Sequence, residues 1–233
     1  MIKKIKFIAS LIYIPLSTFS YSSIEINKDK FIFIESNNKE IIEIKNKTDN
    51  DYFIQSWISP YDEENSNEPP FMITPPLFKI EKNEQFSLKI FKTDETIAKD
   101  KETIYRVNIK KTPILSNSDS NKNLLHISIN SVYNLIYRPI SIEKNANKAY
   151  KEIEFLKNKN NEFIINNPTP YFITLLKISY NGKLFIDKSK TIPPFKKYNT
   201  KKTIQENGIV NWKTYNQYNM EINAIEKAVI NEN

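Results

Sequence analysis

The chain of 233 residues contains no cysteine, one histidine (His126) and two glycines. Without cysteine there are no disulfide staples and no thiol nucleophile, so stability has to come from hydrophobic cores. A single histidine excludes metal centres built on several His or Cys ligands. Carboxylates number 27, yet no acid pair stands apart from solvated charge as a hydrolase dyad would. The reading is therefore not an enzyme. Helical periodicity is missing too, since no segment sustains an apolar repeat of 3.6 residues. Basic clusters interleaved with aromatics are also absent, which argues against a nucleic-acid partner.

Long apolar runs are confined to the start. Lys3, Lys4 and Lys6 precede the apolar residues 7–19, and small residues follow at Ser20, Ser22 and Ser23. That order predicts an export signal over residues 1–22, cleaved near Ser22. Elsewhere nothing approaches the ~18 apolar residues of a membrane helix, so the expected mature protein is exported and not embedded in a membrane. The formal charge of +7 includes the three leader lysines; no acid leaves with them, and the mature chain carries +4.

Short apolar segments, by contrast, recur throughout. They occupy residues 31–34, 41–44, 52–58, 71–73, 86–90, 104–109 and 124–137, then 153–156, 163–165, 171–180, 200–204 and 220–225. Turn residues separate them, and Asn181-Gly182 is a hairpin signal because both central residues of a type I′ turn need positive φ. This spacing predicts an all-β chain. Polar residues 143–147 divide the series, which predicts two immunoglobulin-like β-sandwich domains, over residues 23–142 and 143–233. Within 124–139, Leu125, Ile127 and Ile129 alternate with His126, Ser128 and Asn130, so a strand sets three aliphatic side chains on one face. It closes at Tyr137-Arg138-Pro139, where proline ends the ladder. Taken alone, that is a half-buried strand.

Five motifs carry more. They are Tyr52-Phe53-Ile54-Gln55-Ser56-Trp57; Phe71-Met72-Ile73-Thr74-Pro75-Pro76-Leu77-Phe78; Asp100-Lys101-Glu102-Thr103-Ile104-Tyr105, running on to Asn108; Leu135-Ile136-Tyr137-Arg138-Pro139; and Asn167-Pro168-Thr169-Pro170-Tyr171-Phe172-Ile173-Thr174. In order and spacing they resemble the periplasmic pilus (fimbrial) chaperones of the chaperone–usher pathway, across nearly the whole mature chain. The resemblance implies two immunoglobulin-like sandwiches in a boomerang with a cleft between them, and a periplasmic location. It also implies what the molecule does there. Such a chaperone catches a pilin subunit that lacks its last strand, lends it one by donor-strand complementation, and hands it to an outer-membrane usher. No cofactor and no metal are implied. Whether the free protein caps itself as a dimer is left open.

The resemblance assigns residues as well. Leu125, Ile127 and Ile129 become the donor-strand zipper. Lys30 falls at the position of an arginine that, with a lysine, holds the subunit's terminal carboxylate. Asn134 falls at the lysine, a departure that replaces a charged donor with a neutral one. Glu102 and Arg138 match two members of an interdomain ionic network, whose third, normally an aspartate, aligns with Gln217. Thr74-Pro75-Pro76 reads as a rigid turn, and Phe53, Gln55, Thr74 and Pro75 fall where the family meets the usher. The polar link between Pro113 and Asn123 resembles the short-loop branch of the family. The competing reading is a secreted immunoglobulin-like binding module that keeps the fold and assembles no pili.

Overall fold

In a computed structural model, residues 23–62, 64, 67–94, 97–114, 127–216, 220–223 and 226–232 are described. Nine strands come first: β1 (Ile24–Ile26), β2 (Lys30–Ile34), β3 (Glu40–Asn46), β4 (Tyr52–Pro60), β5 (Phe71–Thr74), β6 (Leu77–Ile80), β7 (Gln85–Lys92), β8 (Thr103–Pro113) and β9 (Ile129–Arg138). They form two sheets, ordered β1-β3-β7-β5 and β2-β9-β8-β4-β6. Alternation builds the layers: in β3, Ile42 and Ile44 are buried while Ile41, Glu43 and Lys45 face water. These aliphatics meet Phe31, Phe33, Ile54, Leu135 and Tyr137 of the facing sheet. Phe71 sits at the centre, edge-on to Phe33 at 5.2 Å and to Tyr105 at 5.1 Å.

Among the described residues ten strands make the second sandwich: β10 (Glu154–Lys157), β11 (Glu162–Asn167), β12 (Ile173–Tyr180), β13 (Lys183–Ile186), β14 (Lys190–Ile192), β15 (Lys196–Thr203), β16 (Ile209–Tyr215), β17 (Glu221–Asn223), β18 (Lys227–Ala228) and β19 (Ile230–Asn231). One sheet runs β15-β11-β10-β19; the other runs β13-β12-β16-β17, with β14 also on β12 and β18 on β16. Phe155 packs edge-on to Trp212 at 4.9 Å within its core. Asn181 and Gly182 have φ of 48° and 74° and join β12 to β13 with Tyr180 opposite Lys183, as the hairpin signal required.

Both sandwiches lock a strand end with the same device. Asn46 ends β3, and its amide donates to the carbonyls of Asn50 and Glu81 while its oxygen accepts from the N–H and hydroxyl of Thr48. Asn167 ends β11 and donates to the carbonyls of Tyr171, Ile192 and Pro193, accepting from the N–H and hydroxyl of Thr169. The trace of this in the sequence is Asn-x-Thr at 46–48 and at 167–169.

Among the described residues, the apolar run at 124–137 is laddered from Ile129, opposite Lys111. Continued outward, that register sets Ile127 against Pro113, which has no N–H to offer. A bond between the hydroxyls of Thr112 and Ser128, at 2.9 Å, joins the same two segments. Leu125, Gln217, the leader and most of the link after Pro113 lie outside the described residues.

Candidate functional site

The strand β9 is paired differently along its two edges. Its β8 edge is bonded throughout, from Ile129 opposite Lys111 to Tyr137 opposite Thr103. On the other edge the parallel partner β2 starts only at Lys30, opposite Asn134. Upstream of Lys30 the chain crosses to the other sheet, where β1 pairs with β3. Among the described residues no strand therefore covers that edge of β9 from Ile129 to Tyr133. An unpaired edge with free N–H and C=O groups is a template for another strand.

Side chains follow the same division. Tyr133, Leu135 and Tyr137 point into the first core. Ile129, of the same parity, is 47% exposed, and Ile127 beyond it is 59% exposed. One face of the strand thus begins in this protein's own core and emerges as bare aliphatic surface.

Where the open edge ends, the two sandwiches meet. Lys30, Ile136, Glu102 and Arg138 line a narrow cleft opposite Tyr171, Tyr215 and Asn216 of the second sandwich. Its free space is about 20 Å³, room for one small polar group. Lys30 Nζ lies 6.0 Å from the Tyr215 ring centroid. Burial lowers the Lys30 pKa, Glu102 draws it back up, and Arg138 pushes it down.

Glu102 and Arg138 face each other one step beyond the Thr103–Tyr137 pair, so strand register itself makes this contact. Arg138 Nε and Nη2 both reach Glu102 Oε1 at 2.7 Å. The other carboxylate oxygen accepts the Phe172 N–H at 2.7 Å, and the Glu102 N–H donates to the Pro170 carbonyl at 2.8 Å. Glu102 is thereby bonded to both sandwiches. Burial raises its pKa, and the Arg138 charge is the strongest opposing influence. The guanidinium also lies 5.6 Å from the Tyr171 ring.

Residues 23–143 match the family profile described as pili and flagellar-assembly chaperone, PapD N-terminal domain, and residues 148–221 match the PapD C-terminal domain of pili assembly chaperones. The chain belongs to the PapD-like pilus-assembly chaperones. This chaperone is 31% identical to the chaperone protein LpfB of Salmonella typhimurium over 172 residues, 73% of this chain and 72% of that one. It is 25% identical to the chaperone protein FimC of Escherichia coli K12 over 199 residues, 84% and 80% of the two chains. In fold it resembles the Salmonella enterica SafB chaperone, solved in complex with the SafA pilin, with a TM-score of 0.73, 22% identity and coverage of 91% and 97%. The periplasmic chaperone SfaE superposes with a TM-score of 0.69 at 23% identity, covering 90% and 100%. The boomerang of two sandwiches is the architecture of these neighbours, and the family is one of chaperones, not enzymes. No described helix is long and apolar enough to cross a membrane.

A second surface of the chaperone stands out. On β4, Ile54 is fully buried and its neighbour Phe53 is 48% exposed. Gln55, two residues on, is exposed on the same face opposite Leu77. The cis Thr74–Pro75 bond turns the chain beside them, held by the Ser56 hydroxyl on the Pro75 carbonyl at 3.0 Å and the Ser56 N–H on the Pro76 carbonyl at 2.8 Å. Leu77, absent from the residues named for this surface on sequence, is 61% exposed. Its position in an apolar-polar alternation could have found it.

Proposed function

We propose that this chaperone holds incomplete pilin subunits in the periplasm by pairing them along the open edge of β9, and delivers them to an outer-membrane usher. Pilus chaperones are a known instance of strand addition; the observation that carries the reading here is the edge from Ile129 to Tyr133 beside two exposed isoleucines. A subunit strand laid parallel to β9 takes the track that β2 occupies further on. Its terminal carboxylate then arrives at Lys30 and Asn134, where β2 begins. Burying Ile127 and Ile129 contributes roughly 3–6 kcal/mol of gross transfer energy, at 1.5–3 per side chain. Leu125 adds to this on the same alternation.

The carboxylate sets register, because a slip of one residue would turn every donor side chain to the wrong face. Lys30, partly desolvated already and acted on by Glu102, meets a second carboxylate when the subunit's terminus enters. Asn134 contributes a neutral hydrogen bond of about 0.5–1.5 kcal/mol, against about 1.5–3 for a charged donor. The zipper accordingly carries more of the affinity than the anchor. Glu102 and Arg138, with Gln217 as a neutral third member, hold the sandwiches at the angle the cleft needs. The face of Phe53, Gln55, Thr74, Pro75 and Leu77 lies away from the donor edge and serves the usher.

The test is co-purification from periplasm of tagged protein with pilin subunits encoded nearby, comparing wild type, Lys30→Ala and Ile127→Asp. Recovery with wild type, a decrease with Lys30→Ala and loss with Ile127→Asp support zipper and anchor together. Equal recovery by all three folded proteins removes the donor-strand mechanism.

A further inference from the structure

The second sandwich is open along one side. Its sheets end there in β13 and β14 on one hand and β15 on the other, and a cavity of about 610 Å³ lies between them. Ile165, Leu175 and Ile178 form its floor, none more than 2% exposed, and Phe185 and Tyr198 form its walls. Lys188, Lys190 and Lys202 stand at the mouth, all exposed. Lys190 Nζ lies 4.5 Å from the Tyr198 ring centroid, and Lys202 Nζ 4.8 Å from that of Phe185. The acid at the mouth, Asp187, is paired with Lys177 at 3.4 Å. None of the three mouth lysines pairs with a carboxylate among the described residues.

We propose that this cavity binds a single-chain carboxylate amphiphile, a free fatty acid, with its tail between the sheets and its head among the lysines. The volume lies within the roughly 300–1,000 Å³ of small-molecule sites. Packed sheets stand about 10 Å apart, so the space is a slot suited to an alkyl chain rather than to a bulky polar solute. The cationic mouth, with its single acid already neutralised, selects an anionic head over a neutral one. No residue of this site lies on β9 or in the cleft, so the proposal stands apart from the subunit-holding reading.

Dodecanoate titrated into the mature chaperone, followed by calorimetry, is expected to bind one to one. The double variant Lys190→Glu/Lys202→Glu changes exposed side chains and is expected to weaken binding about tenfold, as two reversed surface pairs would. Dodecanol is expected to bind more weakly by a similar factor, while Ile127→Asp binds dodecanoate as wild type does. Circular dichroism checks that each variant is folded. The proposal is overturned if no stoichiometric binding occurs, if dodecanol equals dodecanoate, if Ile127→Asp alone abolishes binding, or if the protein adsorbs only to anionic phospholipid vesicles.

Discussion

In the first sandwich the two longest strands, β8 with 11 residues and β9 with 10, form a ladder that outruns the parallel partner β2, which has 5. In the second, no described strand exceeds 8 residues. The edges differ in chemistry as well as length. The uncovered part of β9 reads Ile129, Asn130, Ser131, Val132, Tyr133 and carries no charge. The edge strand β15 of the second sandwich carries Lys196, Lys197, Lys201 and Lys202, and its pairing with β11 is broken by an irregularity at Glu162. Lysines and irregular pairing are how a protein keeps an edge from recruiting a neighbour. The same fold thus guards one edge and leaves another inviting, and the inviting one is where a partner strand can add.

The largest effect is expected where the sandwiches are joined. Arg138→Ala leaves the Glu102 carboxyl buried without its cation, and a loss of about 3–5 kcal/mol is predicted in urea unfolding. Glu102→Gln with Arg138→Met, which removes both charges, should lose far less. A cost below about 1 kcal/mol for Arg138→Ala would mean that the pair does not join the domains energetically.

Next come the two asparagine locks. Asn167→Ala strands three carbonyls and Asn46→Ala two, so losses on the order of 2–4 kcal/mol are expected, larger for Asn167. Trp57 and Trp212 report separately on the first and second sandwich, so single-tryptophan versions can show which half each change loosens. Equal loosening of both halves by either change would contradict the independence of the two cores.

Guarding the open edge is a gentler intervention. Ile129→Lys imitates β15 and is expected to cut subunit recovery several-fold while leaving stability within about 0.5 kcal/mol, because the side chain is already exposed. If recovery persists, the uncharged edge is not what the partner reads.

The smallest effect concerns the segment just after β9, at Ile140. The Ile140 N–H donates to Glu35 Oε2 at 2.9 Å and Lys92 lies 3.1 Å from Oε1; that backbone bond is the main cause holding the Glu35 pKa below its ordinary value. A depressed carboxylate stabilises the fold above its unfolded pKa and ceases to do so as pH falls through the folded one. Glu35→Gln should therefore remove a shallow acid-side loss of stability, under about 1 kcal/mol. An unchanged pH profile would show that the Ile140–Glu35 bond contributes nothing measurable.

Much of this architecture was legible beforehand, and what escaped did so for identifiable reasons. Ile42 and Ile44, Leu88 and Ile90, or Asn181-Gly182 declare themselves because a period of two and a two-residue turn are local. The Asn46 and Asn167 locks were overlooked because each reaches carbonyls far along the chain, which an Asn-x-Thr triplet does not announce. That Ile127 falls across from Pro113 depends on the register that pairs Ile129 with Lys111. Neither residue alone signals that.

Although its apolar series passes over β13, β14 and β16 of the second sandwich, the sequence by itself determined most strands of the first sandwich, the Asn181-Gly182 turn, the division into two sandwiches and the alternation that makes Ile127 and Ile129 a pair. These depend on residues near one another in the chain, through pleat geometry and backbone dihedral preference. Tertiary structure alone decided which edge stays uncovered, that Lys30 sits beside Asn134 at its end, and that Glu102 touches both sandwiches. Those facts rest on register between distant segments and on where the chain crosses from one sheet to the other, and a residue's type does not carry the address of its partner across the fold.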